Sequence, residues 1–404
     1  MKTERISRFR TAAHELWSDG RGWILVGVAS GWFLSLGVRL VFPALLPYIR
    51  ASFSLNLTGA GLLVTVLWTA YALGQFPGGI VGDWVGEGNA LLASTVCSGL
   101  AIAVVAASWT PALLFAATAV FGFSTALFGP ARFTILSAIY DDRDGTAVGL
   151  TLSAGEAGNA VLPAGAGVLA AGLSWRAGFG ITVPMFLLVA VLISRVLPGQ
   201  VSSRTDSYSL SLSTLRYAVG SIADRLILLI SSIHFLLFFV YQGFTGFYPT
   251  YLVEVKDLSP SVAAMLFGWF FVVGIAVQPL AGAGGDRFGV RPMLFVVAGV
   301  SAGSLFALPL VDGPVALALV TTVASTLLGS TPLTQTYLVN QLPADAKGTG
   351  LGLLRTVYIG LGATGPFVVG TAADQGYFNE AFFGLAVIAG IGIAASLFLP
   401  SPDG

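Results

Sequence analysis

Twelve stretches of this chain stay apolar for about 20 residues or more, enough for a helix rising about 1.5 Å per residue to cross a hydrocarbon core about 30 Å thick. They run over residues 23–48, 58–81, 90–108, 111–139, 146–173 and 175–197, and then over 226–253, 260–284, 292–310, 315–339, 348–373 and 378–399. In lipid, every backbone N–H and C=O must find its partner inside the segment, so runs of this kind are helices. The composition agrees, with 55% hydrophobic and 9% charged residues, too apolar for a soluble domain of 404 residues.

The two sets of six are copies of one unit. Gly79, Asp83 and Gly86 recur as Gly282, Asp286 and Gly289, each 203 residues on (282−79, 286−83, 289−86). Tyr48 and Tyr251, Gly145 and Gly348, Pro163 and Pro366, and Phe179 and Phe382 keep the same step. A constant offset over so many positions is internal duplication, and its period is far longer than that of a solenoid. The expected fold class is therefore an all-α integral membrane protein, 12 transmembrane helices in two pseudo-symmetric six-helix bundles.

Four segments follow. Residues 1–21 read as a cytoplasmic leader, because charges of both signs are not followed by a short apolar segment and cleavage site. Residues 22–198 are the first bundle and 226–400 the second. The Ser-rich stretch 199–225 is a cytoplasmic linker, in which Leu210, Leu212, Leu215 and Tyr217 mark a short interfacial helix. With the N-terminus inside, the inner segments hold Lys2, Arg5, Arg8, Arg10, Arg21, Arg143, Arg204, Arg216, Arg225, Arg287, Arg291 and Lys347; the outer loops hold Arg50, Arg176 and Lys256. This asymmetry predicts that both termini are cytoplasmic; the membrane expected for a transporter of this kind is the plasma membrane.

Each copy of the pattern lies where a span ends and the chain turns into the next. In the second, Gly282 and Gly285 allow close helix contact, Asp286 places a charge at the membrane edge, Gly289 permits positive φ, and Arg287 and Arg291 anchor the loop. Here the chain resembles the major facilitator superfamily of secondary transporters, whose signature reads approximately G-x-x-x-D-R-x-G-R-R after the second helix and again after the eighth. The second copy fits; the first carries Trp84 and Glu87 where the family has basic residues. The resemblance implies that Gly79, Asp83, Gly86, Gly282, Asp286, Arg287, Gly289 and Arg291 form a latch joining the halves in the outward-facing state. The carboxylates would lie near the helix starts at 144–149 and 347–352. It also implies that helices one, four, seven and ten line a central cavity, and that two, five, eight and eleven form the interface between halves.

An ionisable group inside a bilayer costs at least about 2.5–3.5 kcal/mol on insertion scales, which marks such residues as functional candidates. They are Arg39, Arg132, Glu156, His234 and Arg355. Three arginines against one carboxylate favour an anionic small-molecule substrate. Arg39, followed by Pro47 and Tyr48, is similar to the substrate-binding arginine of the organic-anion and organophosphate branches; its rival role is a pair with Glu156. Tyr241, Gln242, Arg355 and Tyr358 complete the expected binding set, Gln242 being the repeat mate of Arg39 (242−203). Glu156, on a face with Asn159 and Pro163, and His234 are the proton-coupling candidates. Arg132, about seven residues from its helix end, reads as an anchor reaching the inner surface or a partner for Asp83. Pro130, Pro163, Pro184, Pro279, Pro332 and Pro366 mark kinks.

No cofactor, metal site or nucleic-acid partner is expected. No phosphate-cradling G-x-x-x-x-G-K-[ST] loop exists, two separated histidines and the lone Cys97, read as a small buried residue, offer no metal-ligand spacing, and no Ser-His-Asp arrangement supports hydrolysis. The expected activity is not enzymatic: it is proton-coupled or exchange transport of a small organic anion by a monomer using alternating access. Gly155, Gly158 and Pro163 resemble the glycine and proline motif of family antiporters, which keeps open a multidrug or metabolite efflux antiporter. A membrane-embedded enzyme or receptor is the remote alternative, requiring a catalytic cluster or extramembrane domain that the chain does not display.

Overall fold

The computed structural model describes residue 17 and residues 21–140, 144–197, 224–342 and 347–400. The leader up to residue 16, Arg143, the linker with Arg204 and Arg216, and the segment 210–217 lie outside the described residues.

The described chain is helical throughout and has no strand. Its spans are α1 (Arg21–Phe53), α2 (Leu57–Val85), α3 (Glu87–Ala107), α4 (Pro111–Ile139), α5 (Asp144–Gly172) and α6 (Trp175–Gly180, then Thr182–Val196). The second set is α7 (Arg225–Glu254), α8 (Pro260–Phe288), α9 (Val290–Ala307), α10 (Pro314–Ala324, a 3₁₀ turn Ser325–Gly329, then Ser330–Gln341), α11a (Lys347–Gly362) with α11b (Gly365–Asp374), and α12 (Phe378–Ser396). Eleven of these spans are long and apolar enough to cross a membrane. The twelfth, α5, has 29 residues, but its many glycines, Glu156 and Asn159 lower its hydropathy.

The duplication reaches the backbone. Starting residues Leu57 and Pro260, Glu87 and Val290, Pro111 and Pro314, Asp144 and Lys347, and Trp175 and Phe378 are each 203 apart. Both signature turns close on a left-handed glycine, Gly86 at φ 85° and Gly289 at φ 90°, as the expected tight turns require. The only non-glycine residues with positive φ among those described, Ser54 and Asp257, are repeat mates as well (257−54).

Three of the six prolines expected to mark kinks fall at breaks in a span. α6 is interrupted at Ile181 before Pro184, α10 tightens to 3₁₀ before Pro332, and α11 breaks at Ala363 and Thr364 before Pro366. Each break falls just N-terminal to the proline, where its ring displaces a carbonyl and its missing N–H removes a hydrogen bond. Pro130, Pro163 and Pro279 sit inside helices that continue through them.

Small residues set the helix spacing. Within the first half, α1 lies on α5: a Cβ at Gly37 would be 2.5 Å from the Gly158 carbonyl oxygen, and one at Gly158 would be 2.2 Å from that of Phe33. Between halves, α2 packs on α11 and α5 on α8, the interface implied by the resemblance. These crossings are tight at the end carrying the turns at Ser54 and Asp257. There a Cβ at Gly61 would be 2.4 Å from the Pro366 oxygen, and one at Gly268 would be 2.6 Å from the Ala160 oxygen. Asp374 of α11b accepts from Leu57 N (2.8 Å), Thr58 N (3.1 Å) and Thr58 Oγ1 (2.7 Å), Thr65 donates to the Ala363 carbonyl (2.8 Å), and Arg50 pairs with Glu254. At the opposite end, beside Gly86 and Gly289, Trp84, Asp286 and Arg287 are exposed, and Gly149, Gly282 and Gly352 face open space. Among the described residues the halves are closed at one end, and at the other these three glycines meet no neighbour.

Candidate functional site

Arg39 sits midway along α1 with no exposed surface. Its Nε donates to the Ser35 carbonyl one turn back (2.8 Å), and its guanidinium lies 3.9 Å from the Tyr71 ring centroid, 5.1 Å from Trp68 and 5.6 Å from Trp32. Arg132 of α4 is also buried, with its guanidinium carbon 3.3 Å from the Trp32 centroid and 4.3 Å from Phe133. The third arginine, Arg355 of α11a, comes from the other half and lies beside Tyr358. All three are within electrostatic reach of Tyr71, on α2. Aromatic faces compensate part of the buried charge, by about 0.5–2 kcal/mol for each such contact. They leave N–H groups free: Arg39 Nη2, Arg132 Nη1 and Arg355 Nε are buried without a hydrogen-bond partner among the described residues. No carboxylate pairs with any of the three there.

The second half extends this wall. His234 of α7 hydrogen-bonds Thr334 Oγ1 through Nδ1 (2.6 Å) and meets the Tyr358 ring edge-on at 4.2 Å, while its Nε2 is unpartnered among the described residues. Gln335 Nε2 donates to the Tyr358 hydroxyl (3.2 Å). Tyr241 stands near Phe238 (5.8 Å) and within reach of Arg39. Gln242 is buried, and neither atom of its amide has a partner among the described residues.

Of the expected binding set, Arg39, Arg355, Tyr358 and Tyr241 thus converge from both halves, with His234 joining them. The rival role for Arg39 is not adopted: it turns onto Tyr71 and Ser35 and does not pair with Glu156. Arg132 does not reach for the surface: its face of α4 points at Trp32, and its guanidinium joins the central cluster. Glu156 lies apart, half-buried on α5, accepting from Asn159 Nδ2 (3.2 Å) beside Gln278 of α8. Cys97, expected to be buried, is exposed on the outer face of α3.

Among the signature residues, Gly86 and Gly289 form the turns described above, and Asp286 and Arg287 are exposed. Gly282 faces open space, and Arg291 donates to the Leu399 carbonyl (3.2 Å) within its own half. The side chain of Asp83 and the surroundings of Gly79 lie outside what is described. Sequence reasoning missed Tyr71, Trp32, Trp68 and Gln278. A signal existed for Tyr71, which is Gly274 in the second copy (274−203=71), a mismatch like that of Arg39 with Gln242.

The sequence profile of the Major Facilitator Superfamily matches residues 27–363 and 230–404. The chain belongs to this superfamily. Solved structures with the same fold include a bacterial homologue of the human lysosomal transporter Spinster in an inward-facing and occupied conformation, with a TM-score of 0.76 and 17% identity over 93% of this chain and 96% of that one. The same homologue unoccupied gives 0.76 and 15% over 94% and 96%, and a D-xylose–proton symporter gives 0.73 and 16% over 94% and 98%. No curated protein matches the chain. As a Major Facilitator Superfamily member it is a multi-pass secondary transporter of small molecules, not an enzyme.

Proposed function

We propose that this transporter carries a small organic anion across the plasma membrane by alternating access, coupled to protons or to exchange, as a monomer with both termini in the cytoplasm. One observation carries the reading: two buried guanidiniums, Arg39 and Arg132, and the half-buried Arg355 from the other half all lie within electrostatic reach of Tyr71, each with an unpartnered N–H and none with a carboxylate partner among the described residues. Uncompensated buried positive charge is costly, and a forked anion offsets it through charge-assisted hydrogen bonds. A carrier of bare cations would meet repulsion there. Arg39, Arg355 and Gln242 contact the substrate, with Tyr241 and Tyr358 beside them; Arg132 joins the set. Glu156, which has no basic partner among the described residues, takes up the coupling proton, and His234, whose Nε2 is unpartnered among them, is the second protonatable group. Rocking the halves about this central site opens one end as it closes the other and exposes the site to either side in turn.

Uptake of radiolabelled organic anions into proteoliposomes tests the proposal. Arg39→Ala and Arg355→Ala each lower uptake about tenfold or more, the loss expected for one charge-assisted contact. Anion uptake unchanged in Arg39→Ala, together with movement of cationic drugs, overturns it in favour of an efflux pump.

A further inference from the structure

A second polar group stands near the arginine cluster. Glu156 lies at the seam between α5 and α8, on the stretch of α5 whose Gly155 and Gly158 pack on Trp32 and Phe33 of α1, and no Lys, Arg or His contacts its carboxylate among the described residues. Its neighbours are the amides of Asn159 and Gln278. Asn159 is 4% exposed, and its Oδ1 has no hydrogen-bond partner among the described residues. Tyr241 of α7 is within electrostatic reach of both Glu156 and Arg39. Among the described residues the centre of the molecule thus holds a positive cluster without a carboxylate partner, a tyrosine within reach of it, and a carboxylate without a basic partner beside a free amide oxygen.

An inorganic or simple carboxylic anion answers only the first region. We propose that the cargo is bipolar, an organic acid that also carries a primary or secondary ammonium group. Its acid group sits among Arg39, Arg132 and Arg355; its carbon body crosses Tyr241; and its ammonium binds Glu156 and the Asn159 Oδ1. The donor count favours this class, since an ammonium has donors and no acceptor, and a carboxylate with a free amide oxygen offers acceptors alone. Each pole is costly when empty and is satisfied by the opposite charge on one solute, which is electrostatic complementarity used for specificity. The inference rests on the anion-carrier reading and names its substrate class. A proton occupies Glu156 when a plain anion is carried, and the ammonium takes its place when the cargo brings one.

The test uses the purified full-length chain and matched probes that differ by an amino group: glutamate and glutarate, phenylalanine and 3-phenylpropionate, phosphoethanolamine and ethyl phosphate. Affinities come from ligand-dependent shifts in thermal unfolding. The amino member of at least one pair binds about tenfold or more tighter than its partner, and Glu156→Gln brings that ratio close to one. Asn159→Asp, which adds a second carboxylate to the pole, raises the ratio and serves where Glu156→Gln fails to fold. The inference is overturned if no amino member binds tighter, if the preference survives in Glu156→Gln, or if a deamino member binds only with sodium present. Equal binding within each pair, abolished by Arg39→Ala, sinks this inference alone. Absence of binding by every probe sinks the anion reading with it.

Discussion

Each arginine in a bilayer core costs at least about 2.5–3.5 kcal/mol on insertion scales, and here three stand close enough to repel one another. Tyr71 is the residue they share. Its ring takes the Arg39 guanidinium at 3.9 Å, and its hydroxyl supplies a dipole to a region without carboxylates. Removing the hydroxyl alone separates these roles: Tyr71→Phe weakens anion binding by about 1 kcal/mol, or roughly fivefold, with little change in the unliganded unfolding temperature. Tyr71→Leu also removes the aromatic face and lowers that temperature. Both follow from ligand titration by thermal unfolding, and equal affinities in wild type and Tyr71→Phe would remove the hydroxyl from the site. Arg39, Glu156 and Arg355 were legible as ionisable residues in apolar spans. Tyr71 was not, because hydropathy is indifferent to tyrosine, and only its mismatch with Gly274 sets it apart. Arg132 was misread because distance from a helix end gives reach and says nothing of direction.

At the scale of helices, the closed end is held by a cap supplied in trans. The first N–H groups of α2 have no intrahelical partners, and Asp374, 317 residues away, accepts two of them together with the Thr58 hydroxyl. The matching seam between α5 and α8 has no such cap, because the repeat mate of Asp374 is Ala171 (374−203). A cap of this kind contributes about 0.5–2 kcal/mol, and the exposure of Asp374 puts it at the low end. Asp374→Ala therefore shifts the population toward opening at this end about two- to fivefold, while Asp374→Asn, still an acceptor, shifts it less. Spin labels at the outward-facing Leu62 and Phe367, with Cys97 replaced, report it as growth of a longer-distance component. An unchanged distance distribution in Asp374→Ala would mean that the glycine contacts alone hold the seam. Sequence could not show this cap, since neither Asp374 nor Thr58 is unusual at the end of an apolar run.

Over the whole molecule, the 203-residue step was the most legible feature, and it extends to helix starts and left-handed turns because each copy buries the same faces against the same neighbours. The step says nothing about which end of the cavity is open, since alternating access gives both answers to one sequence. The open end is the one beside Trp84, Gly86 and Gly289, and the proposed orientation, which rests on the charge count, puts that end at the cytoplasm. A paired accessibility experiment checks the assignment. Cys97 is the chain's only cysteine, so its replacement gives a clean background. In that background Trp84→Cys and Trp109→Cys place thiols at opposite ends, at positions 82% and 74% exposed. A membrane-impermeant maleimide applied to intact cells labels Trp109→Cys and spares Trp84→Cys, and permeabilised cells show both labelled. The reverse pattern would put the signature loops outside. The arginine cluster would then open to the exterior in this conformation, and the direction in which its cargo is first captured would be inverted.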